Sequence, residues 1–184
     1  GHKGLQRTQD LLTSLEPLEI TFGMETRPND LTPELMQQLK QSGLTSLLLG
    51  IESGSANVLG NLNKSSSGQV SARAIQICRE AGIEPEVGFL MFVPDSSLDD
   101  LQQNLDFLMA NNLLDRLERT ANLLSHVQIV LKGTSGYVLF NSQGRLIPTG
   151  PLGFEGQISF RDERVSWTAE VIVEACRHVL REMS

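Results

Sequence analysis

The sequence predicts an α/β fold of repeated strand–helix units around a parallel sheet. Three observations carry this. Apolar, β-rich runs recur at 18–25, 46–52 and 86–94. A stretch with helical spacing of apolar residues comes after each run. Two of those helices end in a glycine, at "SGL" (42–44) and "AGI" (81–83), within a few residues of the next strand. Strand, helix, strand, helix, strand, helix implies parallel strands joined by right-handed crossovers.

The first strand, "LEITFGME" (18–25), is apolar and ends in charge. "LTPELMQQLKQSG" (31–43) has Thr32 as N-cap, Pro33 at the first helical position and Gly43 as terminator, with Leu35, Met36 and Leu39 at helical spacing. "SLLLGIE" (46–52) is the next strand, and "SSSGQVSARAIQICREAG" (65–82) a second amphipathic helix. "EVGFLMFVP" (86–94) is a third strand. "SSLDDLQQNLDFLMANN" (96–112) is a third helix, where Ser97 and Asp100 form a capping box with Asp in place of Glu.

Beyond residue 112 the pattern weakens. Residues 123–150 read as irregular strands and turns, broken by Gly-Thr, Ser-Gly, Gln-Gly and Pro. Residues 155–165 read as a short strand with a charged end. Residues 166–183 read as a helix capped by Ser166, with a stripe of Val171, Ile172, Ala175, Val179 and Leu180 that needs a partner surface.

With 184 residues the chain can bury about 70% of its unfolded surface in one real core. A net charge of −7, from 15 basic and 22 acidic residues, leaves no basic stretch to track phosphates, so nucleic acid is not an expected partner. No apolar run approaches the ~18 residues that cross a membrane, and a signal-peptide pattern is lacking at the start. Gly1 and His2 look like the cleavage scar of an expression tag. Cys78 and Cys176 stand far apart in helical sequence and read as small core residues of a reducing compartment, which points to the cytoplasm.

Functional residues of parallel sheets gather at the carboxyl ends of the strands. Glu25, Arg27, Glu52 and Ser53 all fall there. Glu52 lies in "LLLGIESGS" (47–55), where a buried run gives way to a carboxylate among glycines and serines. Glu25 and Arg27 read either as ligand contacts or as a mutual ion pair at i, i+2. Glu52 reads as a ligand contact or a solvated strand end. His126 reads either as a satisfied, partly buried histidine or as a ligand contact, His178 reads as a surface residue, and no set of residues has metal-ligand spacing.

The stretch "ETRPNDLTPELMQQLKQSGLTSLLLGIESGSANVLGNLNK", together with "AIQICREAGIEPEVGFLMFVPDSSLDDLQQNLDFL" after it, resembles the second half of the radical S-adenosylmethionine barrel. The resemblance covers residues 18–108. The tail, with "NLLSHVQIVLKGTSGY" and "GRLIPTG", resembles the segment after the barrel in cobalamin-binding members. The resemblance implies a partial TIM-type barrel of three or four βα units. Residues 1–17 would be a scar and helix remnant, 18–112 the barrel portion, and 113–184 a C-terminal extension.

The resemblance also implies roles. Glu52 matches the position that hydrogen-bonds the ribose hydroxyls or methionine end of S-adenosylmethionine, with Ser53 beside it. Glu25 and Arg27 match a strand end that touches cofactor or substrate. Lys64 matches a basic position that meets the cofactor's carboxylate, and reads equally as a surface lysine. Gly88 matches the strand whose backbone passes the adenine, but plain core packing is the favoured reading for it. The family's CxxxCxxC loop, whose thiolates hold a 4Fe-4S cluster, is absent, and the lone Cys78 and Cys176 cannot replace it.

The chain therefore reads as a piece of a longer enzyme. The parent is expected to cleave S-adenosylmethionine reductively at the cluster and to form a 5′-deoxyadenosyl radical, with cobalamin as a further cofactor. The piece alone is expected to be inactive. Its expected partners are the missing N-terminal half of the same protein, an unidentified small-molecule or peptide substrate, and another chain through the edge strand at 18–25. Two alternatives stand: a cluster-free nucleoside-binding or interaction module, or a phosphate-binding α/β barrel enzyme, whose Gly-rich phosphate loop is missing.

Overall fold

The computed structural model describes residues 2–183; Gly1, half of the expected scar, lies outside the described residues. In chain order the elements are α1 (His2–Leu15), β1 (Phe22–Thr26), α2 (Pro33–Gln41), β2 (Leu44–Glu52), α3 (Ala56–Asn61), α4 (Gly68–Glu80) and β3 (Glu86–Phe89). Then come α5 (Leu98–Ala110), α6 (Leu117–Ser125), β4 (Val130–Leu131), α7 (Ser135–Ser142), β5 (Leu146–Thr149), β6 (Glu155–Ile158) and α8 (Glu163–Met183). They divide into two compact units: Gly1–Glu52 with Ser65–Gly88, and Ser53–Lys64 with Phe89–Ser184.

The first unit is built on the parallel sheet β1-β2-β3. In β2 the pleat sends Leu47, Leu49 and Ile51 into the core, each with 1% or less of its surface exposed. Burying each side chain contributes about 1.5–3 kcal/mol. Met36 and Leu39 of α2, with Ala74, Ile75, Ile77 and Cys78 of α4, are also buried. Thr32 caps α2 by accepting a hydrogen bond from the Leu35 amide at 3.2 Å. Gly43 ends that turn with φ +102°, where a β-carbon would collide with the Ile20 carbonyl. Lys40 ties α2 to the end of α4 by donating to the Ala81 carbonyl at 2.7 Å.

In the second unit α5 opens with the expected capping box: Ser97 Oγ accepts from the Asp100 amide at 3.2 Å, and the Asp100 carboxylate accepts from the Ser97 amide at 2.8 Å. Phe89 and Phe107 stack with centroids 6.1 Å apart. Phe92 pairs in parallel with Val127 through a single isolated bridge. A separate antiparallel sheet, β4-β6-β5, encloses a small core of Val130, Phe140 and Ile158, and α8 packs on α6.

Several expectations are corrected. The first strand starts at Phe22 rather than 18, because a 3₁₀ turn at Glu16–Leu18 and a positive φ at Glu19 delay extension. The third strand stops at Phe89 rather than 94, since Phe92 pairs with Val127 and Pro94 cannot donate to a ladder. Residues 56–61, to which the sequence reading assigns no element, form α3 capped by Ser55, whose hydroxyl accepts from the Val58 amide. Residues 123–150 are not all strand and turn: they carry the end of α6 and all of α7. Thr134 caps α7 against the Tyr137 amide, and burial of Phe140 overrides the local β preference. Ser166 is not a cap: α8 starts at Glu163, and Asp162 accepts from the Arg164 amide at 2.9 Å. The buried face of α8 is Val165, Ala169 and Cys176, leaving Val171 and Ala175 exposed.

Candidate functional site

The register of β1 on β2 sets Glu25 beside Leu48 and Thr26 beside Leu49. Glu25 is exposed and Glu52, the last residue of β2, is half-buried. Both lean over Gly50: a β-carbon built there would lie 3.6 Å from Glu25 Oε1 and 3.6 Å from Glu52 Oε1. Beside it, a β-carbon on Gly88 would lie 3.7 Å from the Gly50 Cα. One face of β2 is thus packed with Leu47, Leu49 and Ile51. The other carries the half-buried Leu48 and then Gly50, a glycine floor flanked by two carboxylates. Parallel sheets are ordinarily covered on both faces, so a floor of this kind is suited to receiving a ligand or another chain segment.

Arg27 comes directly after β1 and is exposed, and no ion pair between Glu25 and Arg27 is found among the described residues. Ser53 and Lys64 belong to the second unit. Lys64 is exposed at the end of the α3 segment. Ser53 is fully buried, and its hydroxyl donates to Asn104 Oδ1 at 2.6 Å. His126 is exposed at the rim of a cleft beside α8, and His178 is exposed on α8 itself.

Sequence reasoning missed three features. Glu52 has φ +70°, a left-handed conformation that costs a non-glycine residue about 1–3 kcal/mol. Gly50 is the floor between the carboxylates. Asn104 is a fully buried amide. The signal for the last was present, since Asn104 interrupts the apolar stripe of Leu101 and Leu108 at a core-facing position.

A profile of the Radical SAM superfamily matches residues 4–108, more than half of the chain. This chain belongs to the radical SAM superfamily. Among curated relatives, the 4'-phospho-dehydrooxetanocin synthase of Priestia megaterium is 33% identical over 88 residues, 48% of this chain and 11% of that protein. An uncharacterized methyltransferase of Pyrococcus horikoshii is 24% identical over 92 residues, 50% of this chain and 20% of that protein. Among solved structures, the cobalamin-dependent S-adenosylmethionine radical enzyme OxsB with aqua-cobalamin bound superposes with a TM-score of 0.70 at 19% identity. That match covers 90% of this chain and 30% of OxsB. The radical S-adenosylmethionine methyltransferase TsrM from Kitasatospora setae gives 0.50 at 17% identity, over 56% of this chain and 22% of that one. At these identities the likeness is one of fold, and it agrees with the expected partial TIM-type barrel.

The superfamily's two shared cofactors fit this chain unequally. The glycine floor between Glu25 and Glu52 suits S-adenosylmethionine. A 4Fe-4S cluster does not fit. It needs several exposed thiolates together, and among the described residues no cluster of three metal-binding side chains occurs. Both thiols are buried. Burial, with the nearby Glu84 charge, pushes Cys78 up to about 11, and burial raises Cys176 as well. Thiols held protonated in separate helices are core residues.

Proposed function

We propose that this chain is part of a radical SAM enzyme and contributes the strand-end surface that holds S-adenosylmethionine. Its chief support is the pair of carboxylates, Glu25 and Glu52, over the bare surface of Gly50. S-adenosylmethionine carries sulfonium and ammonium charges against one carboxylate, so two neighbouring carboxylates attract it. Its ribose diol donates two hydrogen bonds to one carboxylate, the role assigned to Glu52, or its ammonium pairs there instead. Glu25 and Arg27 hold the adjoining cofactor or substrate groups. Lys64 is assigned to the methionine carboxylate by the family resemblance alone, and Ser53 supports the turn that comes after Glu52. Gly50 and Gly88 let a flat adenine ring approach the backbone.

When bound, S-adenosylmethionine supplies a 5′-deoxyadenosyl radical on one-electron reduction at a 4Fe-4S cluster, for hydrogen-atom abstraction from substrate. The cluster ligands belong to the rest of the same protein, which also completes the barrel, so this chain by itself is inactive. Residues 18–112 form the barrel portion and 113–184 an extension. Use of cobalamin by the whole protein is supported by the cobalamin-dependent OxsB and the cobalamin-bound TsrM. The two free, buried cysteines suit a cytoplasmic enzyme.

The test uses the complete protein, reconstituted anaerobically with iron and sulfide, reduced, and given S-adenosylmethionine. Release of 5′-deoxyadenosine, lost when Glu25 and Glu52 are both replaced by glutamine, is the expected result. Binding of the nucleoside with no cleavage would point instead to a cluster-free binding module.

A further inference from the structure

The three residues after Glu52 are held by one side chain. Asn104 Oδ1 accepts from the Ser53 hydroxyl at 2.6 Å, the Gly54 amide at 2.8 Å and the Ser55 amide at 3.3 Å. The Ser55 amide also donates to Ser53 Oγ at 3.0 Å. On its other side Asn104 Nδ2 donates to the Met91 carbonyl at 3.2 Å. The orientation of the amide is forced, because backbone amides can only donate and carbonyls can only accept. Ser53, Ser55 and Asn104 are all fully buried. Gly54 is pressed so closely on α5 that a β-carbon would collide with Phe107 and lie 2.9 Å from the Gln103 carbonyl. The turn 53–55 therefore has a single seat.

That seat comes directly after Glu52, whose backbone is in the left-handed region at φ +70°. A strained residue persists only where its surroundings over-determine it. We infer that Asn104 is a positioning residue: by fixing the turn 53–55 it holds the Glu52 backbone in the conformation that presents its carboxylate to the ligand. This rests on the assignment of Glu52 to S-adenosylmethionine made above. Asn104 touches neither ligand nor reacting atoms and acts through Glu52 alone.

The test is a double-mutant cycle in the complete protein, read as the affinity for S-adenosylmethionine by calorimetric titration. Asn104→Leu is expected to weaken binding about tenfold, since it strips three hydrogen bonds from the turn. In a Glu52→Gln background the same change should weaken binding by less than about twofold, because residues acting as one unit are not additive. Amide exchange at Gly54 and Ser55 should speed up in both backgrounds. If Asn104→Leu does not fold, Ser53→Ala removes one donor with little change in packing and should show a smaller loss with the same dependence on Glu52. Equal losses in both backgrounds, or none in either, overturn the positioning role. A Glu52→Gln protein that binds like wild type overturns the ligand assignment as well.

Discussion

The Asp100 carboxylate accepts the Ser55 hydroxyl at 2.5 Å, joining the first turn of α5 to the cap of α3. The same carboxylate accepts from the Ser97 amide and hydroxyl at 2.8 Å each and from Asn57 Nδ2 at 3.1 Å. Asp100 is 2% exposed. Burial alone would raise its carboxyl, but the hydrogen bonds from Ser55, Ser97 and Asn57 hold it below the ordinary carboxylate value.

A carboxyl held low in the fold stabilises at every pH above its unfolded value of about 3.9. That contribution disappears as pH falls through the lower folded value. Asp100→Asn should therefore cost about 1.5–3 kcal/mol at pH 7, as expected for losing hydrogen bonds to a charge. The gap from wild type should close below about pH 4. Urea unfolding at pH 7 and at pH 3 measures both, and a gap that is the same at the two values would contradict the assignment.

Gly54→Ala tests the close approach of the turn to α5. The added methyl has no room against Phe107. Overpacking of this kind costs about 1–3 kcal/mol. A drop in melting temperature is expected, and an unchanged one would mean the turn can move aside.

Gly50→Ala makes the opposite prediction. Its methyl would sit at ordinary contact distance from both carboxylates, so the fold has space for it. Removing a strand glycine should leave stability unchanged or raise it by about 0.5–1 kcal/mol. Affinity for S-adenosylmethionine in the complete protein should fall, because the floor is no longer bare. Titration beside a thermal melt separates the two effects, and intact affinity would show that no ligand rests there.

Arg145 anchors β5 in the second unit. Its guanidinium donates to Asp95 at 2.7 Å, to the Ser159 carbonyl at 2.8 Å and to the Pro94 carbonyl at 3.2 Å, and lies 5.3 Å from the Phe140 ring centroid. A lysine cannot reproduce that planar fork. Arg145→Lys should cost about 1–3 kcal/mol in chemical denaturation. A loss no larger than at an exposed arginine such as Arg177 would show that the fork contributes little.

The barrel portion was legible because each of its signals is local. Thr32 with Pro33, Ser97 with Asp100, and the glycines at 43 and 82 mark helix ends wherever they occur, and Leu47, Leu49 and Ile51 mark a buried strand by alternation. The extension was read less well for a physical reason. The helix Ser135–Ser142 is rich in β-preferring residues, and it is helical because Thr134 caps it and Phe140 is buried in a core assembled from distant strands. The strand-end position of Glu52 was visible in the sequence, but its left-handed backbone was not. That depends on the side-chain amide of Asn104, far along the chain, and local pattern carries no trace of such a pairing.

The most direct test of the account is Glu52→Gln in the complete, reconstituted protein. Loss of one charge-assisted hydrogen bond is worth about 1.5–3 kcal/mol. Affinity for S-adenosylmethionine should therefore fall roughly tenfold to hundredfold in calorimetric titration. Glu52 is half-buried at a strand end, so the melting temperature should barely move. Unchanged affinity with a collapsed melting temperature would show that Glu52 serves the fold and not the ligand.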